Sequence, residues 1–233
     1  MDFNFSNLAN ASFSNENSTQ YLKPFDIYTV KLTKIEKGEL KGSKDPNAVY
    51  PIVTLEFTGT GDSHGIFTTR LFIPDPENKE DTDRHEYENS NGHKYQRPSR
   101  MENFQYTLMQ LVHVLNPAGE TKIIENASKI KSTDRFIDLI VKALTDKDDV
   151  ETKLKLVGRN ANGTTYAELP NACGLNKEGK IFPINFIGDN LFFSNYEIEQ
   201  QKKYQNAKPT DMGTVTEEES SDEINLDDIE PLV

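Results

Sequence analysis

The chain has 233 residues, enough for one sizeable hydrophobic core, but its hydrophobic share of 35% is low for a globular protein, so part of it is predicted to stay unfolded. The formal net charge of −12 opposes phosphate binding unless the acids are segregated from the bases. The single cysteine, Cys173, excludes an internal disulfide and fits a reducing cytoplasm, and no apolar run approaches the ~20 residues of a membrane helix.

The first part of the chain predicts an arm followed by three strands. Residues 1–22, which begin with an Asn- and Ser-rich stretch, are predicted to be a flexible N-terminal arm. Apolar and polar residues then alternate over 27–33, 49–58 and 65–73, which is the period of two of half-buried strands. Glycine, proline and asparagine over 37–48 predict a turn between the first two strands.

A polar loop and two helices come next. Residues 75–98 predict a long loop that either folds over a bound strand or stays mobile on the surface. Ser99 and Glu102 have the spacing of a capping box, so a helix is predicted to begin there and to stop at residues 116–119. The apolar stripe over 133–144 predicts a second helix.

Strand patterns return after the helices. Residues 152–157 and 164–169 predict two strands joined by a turn, and 181–187 with 191–194 predict a further hairpin. A short polar helix is predicted over 195–207.

This order of elements predicts a β-rich α+β fold. Three strands, a helical insert and at least two more strands match an elaborated OB-fold, a five-stranded antiparallel barrel with the helical insert between strands 3 and 4. We assign residues 23–207 to this domain. Other α+β arrangements share the same order and stay open.

Residues 208–233 are predicted to form a disordered acidic tail. Residues 211–233 hold nine of the 38 acids and no base, so the preceding chain keeps all 26 bases and carries only about −3. The tail ends in acids beside apolar residues, which suits a partner pocket with a basic rim and an apolar floor. The predicted partner-binding residues are Asp227, Asp228, Ile229, Leu232 and Val233. A tail that serves solubility alone is the alternative.

Cations and aromatic side chains of the body are the candidates for contact with nucleic acid. Single-strand binding needs cations for the phosphates and aromatic faces on which bases stack. The candidate residues are Lys31, Lys34, Lys41, Lys44, Tyr50, Arg70, Phe72, Lys153, Lys155, Arg159 and Tyr166. For each residue taken alone, the alternative is a solvated surface lysine or a core aromatic side chain.

The sequence holds no catalytic or cofactor motif. It lacks a Walker loop, a dinucleotide fingerprint and a nucleophile elbow, and Cys173 has no second cysteine for a zinc cluster. Asp81, Asp83 and His85 have a spacing for weak chelation at most. We therefore expect a protein that is not an enzyme and that has no cofactor and no metal site.

The layout resembles that of bacterial and phage single-stranded-DNA-binding proteins, which combine an OB-fold with an acidic C-terminus that ends in apolar residues. Residues 227–233 carry the resemblance, although the tip lacks the terminal Phe of that family and the chain has no Trp. The size and the single-domain body are more similar to the replication proteins of bacteriophages than to the shorter bacterial proteins.

The resemblance implies a protein that coats single-stranded DNA without sequence specificity in replication, recombination and repair. Its tail would compete with DNA and recruit replication or recombination proteins. The protein would be located in the cytoplasm, or in the host cytoplasm if it is viral, and would not contact a membrane. Formation of a homodimer is a possibility that the sequence leaves open.

Two other functions fit the sequence. The barrel could bind another protein as a non-enzymatic interaction or virion-associated component. An acidic mimic of DNA is less favoured, because its carboxylates would have to lie on a rigid surface rather than in a tail. The single-strand hypothesis requires Lys31, Arg70, Lys153, Lys155 and Arg159 to share one face of the fold.

Overall fold

The computed structural model describes residues 20–42, 45, 47–88, 92–145, 147–161 and 163–206, and in this part the chain forms strands and helices of an α+β fold. The strands are β1 Asp26–Lys41, β2 Val49–Gly59, β3 Ile66–Phe72, β4 Glu86–Glu88, β5 Lys94–Gln96, β6 Glu151–Ala161, β7 Thr164–Glu168, β8 Cys173–Leu175 and β9 Ile181–Pro183. The helices are α1 Lys79–Thr82, α2 Arg100–Leu115, α3 Pro117–Glu125, α4 Thr133–Leu144 and α5 Asn195–Asn206, with a 3-10 turn at Ala127–Lys129.

A five-stranded antiparallel sheet in the order β3-β2-β1-β6-β7 organises the fold. The long strand β1 lies at its centre: its first part pairs with β6, and the part from Val30 onward pairs with β2. Strands β3 and β7 lie at the two edges, and the sheet is not closed between them. The predicted β-rich α+β class is therefore confirmed at the level of an open five-stranded sheet.

A β-bulge at Thr33 interrupts the regular alternation of β1. Leu32 pairs with Phe57 and Lys34 pairs with Glu56, so Thr33 is an extra residue without a partner in the register. The Thr33 hydroxyl donates to the Glu56 carboxylate at 3.2 Å and lies 3.1 Å from the Thr58 hydroxyl. These contacts hold the extra residue against β2.

The hydrophobic core lies between one face of this sheet and the helices α2 and α4. Strand residues that alternate along the sheet, such as Val30, Leu55 and Leu154, are fully buried against helix residues such as Leu108 and Ile140. Burial of apolar area on one side of each strand is what enforces the period of two. We call the opposite side, which faces away from α2 and α4, the outer face.

Short segments cover parts of the sheet's edges. Leu22 donates its N–H to the Ile66 carbonyl, and Ile66 donates to the Gln20 carbonyl, so residues 20–22 lie beside the start of β3. On the other edge, Lys155 donates its N–H to the Phe186 carbonyl at 2.7 Å. The remaining strands form two small antiparallel pairs, β4-β5 and β8-β9.

Several sequence predictions of elements are confirmed. The Ser99–Glu102 capping box is formed, with the Ser99 hydroxyl accepting from the Glu102 N–H and the Glu102 carboxylate accepting from the Ser99 N–H. The predicted second helix coincides with α4, and the predicted polar helix coincides with α5.

Other predictions are wrong for identifiable reasons. The turn predicted over 37–48 is shorter, because β1 continues through Gly38 to Lys41. The end of the first helix predicted at residues 116–119 is confirmed, since α2 ends at Leu115, but the sequence does not predict α3, which begins there with Pro117 in the first helical position, where its missing N–H costs nothing. Residues 75–98 hold α1 and the β4-β5 hairpin rather than one unstructured loop.

The predicted hairpin of 181–187 with 191–194 is also wrong. Residues 181–183 form β9, which pairs with β8 instead. Residues 188–194 precede α5 and form no strand. Of the predicted N-terminal arm only residues 20–22 are described, and the predicted tail 208–233 lies outside the described residues.

Candidate nucleic-acid interface

Strand register brings most of the predicted contact residues to one face of the sheet. Residues that pair across antiparallel strands lie on the same face. Lys31 pairs with Thr58 of β2 and with Glu151 of β6, and Arg159 of β6 pairs with Tyr166 of β7. Alternate residues along β2, β3, β6 and β7 lie on the same face as these pairs, and beyond the bulge Lys34 joins them because it pairs with Glu56. The predicted residues on the outer face are Lys31, Lys34, Tyr50, Arg70, Phe72, Lys153, Lys155, Arg159 and Tyr166.

These residues extend across the whole sheet. Arg70 and Phe72 lie on the edge strand β3, and Arg159 and Tyr166 lie at the opposite edge. At ~4.8 Å between neighbouring strands, five strands span about 19 Å. The outer face therefore carries cations across a width of several nucleotides, although β6 is covered on this face at Lys155 and Val157.

Exposure differs along this path. The side chains of Lys34, Arg70 and Lys153 are exposed, whereas Lys31 and Arg159 are half-buried. The aromatic residues are open to solvent at both edges of the sheet. Phe72 is 36% exposed and Tyr166 is 52% exposed.

Tyr50 contacts Phe72 edge-on, with their ring centroids 6.1 Å apart. The pair is therefore partly packed and partly presented to solvent. An edge-on aromatic pair is the favoured geometry of two such rings, so each ring supports the orientation of the other.

Carboxylates share the outer face with the cations. Register places four of them there: Glu36, Glu56, Glu151 and Glu168. The Lys34 ammonium donates to the Glu36 carboxylate at 2.7 Å, and this hydrogen bond raises the pKa of the lysine. Burial raises the pKa of Glu168, while the positive charge of Arg159 lowers it. The face is thus of mixed charge rather than uniformly basic.

Lys155 differs from its neighbours on β6 because its side chain is buried. Only 3% of the side chain is exposed, and its ammonium donates to both oxygens of Glu197 in α5, at 3.0 and 3.2 Å. It also donates to the Phe192 carbonyl at 3.1 Å. The segment of residues 192–197 therefore covers Lys155 on the outer face, and Lys155 serves as its anchor.

One of the predicted cations that the structure describes, Lys41, does not lie on this face. Lys41 pairs with Val49 at the far end of β1, in the register of the opposite face. Lys44 lies outside the described residues, as do the five predicted residues of the tail, Asp227, Asp228, Ile229, Leu232 and Val233.

The predicted loop contains an ordered aromatic cluster of its own. Tyr87 of β4 stacks with Tyr95 of β5 at a centroid distance of 6.0 Å, and the Arg97 guanidinium lies 4.5 Å from the Tyr87 centroid. The preceding Arg84 is bidentate to Glu102, whose carboxylate also caps α2. The hairpin is therefore tied to the helical layer of the fold.

Sequence reasoning missed Phe192, which is 76% exposed. The sequence pattern around Phe192 predicts a strand, so neither the exposure of its ring nor its position before α5 is predicted. A signal is present in the sequence, because Ser194 and Glu197 have the spacing of a capping box. In the structure Ser194 donates its N–H to the Glu197 carboxylate at 2.6 Å, and Glu197 donates back to the Ser194 hydroxyl at 3.3 Å.

Neither a metal centre nor a membrane span is found in the described part of the chain. There, no three His, Cys, Asp or Glu side chains are placed to hold a metal ion together, and Asp81, Asp83 and His85 form no such group. Likewise, within the described ranges no helix combines the length and the apolar character that crossing a bilayer requires.

A comparison of the chain with models of known protein families, with curated proteins and with solved structures finds no match.

Proposed function

We propose that this protein binds single-stranded DNA along the outer face of its sheet, without sequence specificity and without catalysis. The observation that carries the proposal is the shared face of Lys31, Lys34, Arg70, Lys153 and Arg159 with three aromatic residues. Cations for phosphates and exposed rings for bases are the two components of sequence-independent single-strand binding.

The strand order supports an OB-like architecture for the proposal. An OB-fold is a partly open five-stranded barrel, and its strand order, cut between the third and fifth strands, is the order β3-β2-β1-β6-β7 of this sheet. The helical segment between β3 and β6 also occupies the expected place. Oligonucleotides bind OB-folds on the face of strands 2 and 3, which here carries Tyr50, Arg70 and Phe72.

Direct binding to oligothymidylate tests the proposal. A fluorescently labelled oligonucleotide should bind at low salt, and its affinity should fall steeply as salt rises, because phosphate contacts release counterions. If residues 1–210 and the full chain both fail to bind at low salt, the proposal is wrong. A stable complex with another protein would then favour the alternative of an interaction module.

Matched charge removals locate the interface. Arg70→Ala and Lys153→Ala should each weaken binding and reduce the slope of log K against log salt by about 0.7 for each phosphate that is no longer neutralised. Lys142→Ala is the control, since Lys142 is exposed on α4 in the helical layer and the change in charge is the same. Equal effects of all three variants would show a general charge effect and would contradict binding at the outer face.

The proposed role of the acidic tail is to compete with DNA and to recruit replication or recombination proteins. Deleting residues 211–233 removes nine acids and no base. The shortened chain should bind oligothymidylate more tightly at low salt, and the difference should shrink as salt screens the charges. Unchanged or weaker binding would contradict the competitor role.

A further inference from the structure

Phe192 is the most exposed of the large hydrophobic side chains in the described residues, with 76% of its surface open to solvent. An exposed aromatic ring of this size leaves a large apolar area in water, which is unfavourable unless a ligand covers it. Single exposed apolar residues are common on proteins, so exposure alone assigns nothing. The position and the anchoring of Phe192 are what distinguish it.

The backbone of Phe192 is held at its carbonyl and through the residues that follow it. Its carbonyl accepts a hydrogen bond from the buried Lys155 ammonium at 3.1 Å, and the ring of the next residue, Phe193, lies 5.7 Å from the same ammonium. Ser194 then begins the reciprocal cap with Glu197 that starts α5. The ring of Phe192 is therefore presented to solvent from a fixed backbone.

The anchor residue of Phe192 is itself flanked by outer-face cations. Lys155 lies between Lys153 and Arg159 on the same face of β6, two and four residues away. At ~3.3 Å per strand residue, these positions are about 7 Å and about 13 Å from Lys155 along the strand. Because Lys155 is buried, it adds no exposed cation to the outer face, but the segment that it anchors carries the exposed ring of Phe192.

We infer that Phe192 is a base-stacking residue for single-stranded DNA, positioned by Lys155 at the β6 side of the outer face. This inference rests on the proposed function and adds a contact outside the five-stranded sheet. A nucleic-acid base is the occupant favoured by the flanking cations, since phosphates on either side of a stacked base require positive charge.

The absence of Trp from the chain makes a direct test possible. In the variant Phe192→Trp the new indole is the sole tryptophan, so its emission reports on this position alone. Its fluorescence should be quenched during titration with oligothymidylate, in step with the binding curve measured by anisotropy of a labelled oligonucleotide. The matched control is Ile124→Trp, because Ile124 is 59% exposed on α3 in the helical layer, and its emission should stay unchanged.

Affinity provides the second readout. Phe192→Ala should weaken binding by about 5- to 150-fold, the usual loss when one stacking ring is removed, and Phe192→Tyr should bind within about 2-fold of the unmodified chain. Since the side chain is exposed, both variants should keep the melting temperature of the unmodified chain, which separates a weaker interaction with DNA from a damaged fold.

The outcome also separates this inference from the proposed function. A Phe72→Trp variant places the reporter on β3, within the proposed face. Quenching at position 72 with unchanged emission at 192 and unchanged affinity of Phe192→Ala would overturn the inference and leave the proposed function in place. Absence of any binding to oligothymidylate would overturn the proposed function itself, and this inference with it.

Discussion

The buried ion pair between Lys155 and Glu197 predicts a large and specific loss of stability when one partner is removed. Lys155→Met keeps a similar volume but leaves the Glu197 carboxylate without its cation. The Lys155 side chain is 3% exposed and the Glu197 side chain 16%, so water can only partly replace the lost interaction. The Ser194 N–H remains as a hydrogen-bond donor to Glu197.

The expected magnitude can be worked out from this geometry. Removing one partner of a buried pair costs about 3–5 kcal/mol, and the residual exposure and the remaining donor place this case near the lower limit, at about 3 kcal/mol. For a folded body of this size, that loss lowers the melting temperature by about 6–12 °C. Lys153→Met, on the same face two residues earlier but exposed, should cost less than about 0.5 kcal/mol.

Chemical denaturation followed by circular dichroism measures both free energies of unfolding. The double variant Lys155→Met with Glu197→Gln removes both charges, so it should be more stable than Lys155→Met alone, with a coupling energy of about 2 kcal/mol between the two sites. If Lys155→Met and Lys153→Met lose the same small amount, or if the two changes at 155 and 197 are additive, the argument for a buried anchor is refuted.

Three further predictions concern the helix cap, an acid of the outer face and the cysteine. Ser99→Ala, which removes the buried cap of α2, should cost about 1–2 kcal/mol by thermal denaturation, and a loss below about 0.3 kcal/mol would show that the cap is dispensable. Burial raises the pKa of Glu168 in the folded state, so the stability that this group contributes is present below its unfolded pKa and is lost as the pH rises through its folded pKa. Glu168→Gln should therefore raise the melting temperature at about pH 7 but not at about pH 4. Equal shifts of the melting temperature at both pH values would contradict this. Burial raises the pKa of Cys173 to about 11, so only about 0.1% of this thiol is thiolate at about pH 8. Alkylation of Cys173 should therefore be at least about 100-fold slower in the folded protein than in denaturant. Comparable alkylation rates would show that the thiol is accessible.

The core face of each strand of the sheet could be predicted from the sequence because it carries the alternating apolar residues, although β2 and β6 also bury Ile52 and Lys155 on the outer face. Val30 and Leu32 alternate with polar residues, and the alternation alone separates the face of Arg70 and Phe72 from the buried face of β3. Which residues of neighbouring strands lie side by side on the outer face could not be predicted, because this depends on the register of strand pairing. The register also includes a β-bulge at Thr33, which no local sequence pattern predicts.

The burial of Lys155 shows why the site could be predicted only in part. Lys153 and Lys155 occupy equivalent places in the alternation of β6, yet one is exposed and the other is buried beneath residues 192–197. The difference arises from a segment about 40 residues later in the chain. Periodicity describes one strand and its two faces, whereas burial depends on which distant segment covers a face.

Helix starts were harder to predict than helix faces. The pair Asn116-Pro117 predicts the end of α2, which is correct, but it also begins α3, where the Asn116 side chain accepts from the Gly119 N–H. Proline after a cap residue is compatible with both events, so a sequence signal of this kind marks a boundary without specifying the next element.

The extra residue in β1 allows that strand to be shortened by one residue without a change of register. Thr33 is exposed, and another small polar residue could replace its hydroxyl at little cost. Removing the residue would leave Leu32 next to Lys34, and their partners Phe57 and Glu56 are also neighbours, so Leu32 would still face the helices and Lys34 would still lie on the outer face. The sheet can therefore tolerate the loss of this residue, whereas a one-residue deletion in a regularly paired strand exchanges the faces of the side chains on one side of the cut.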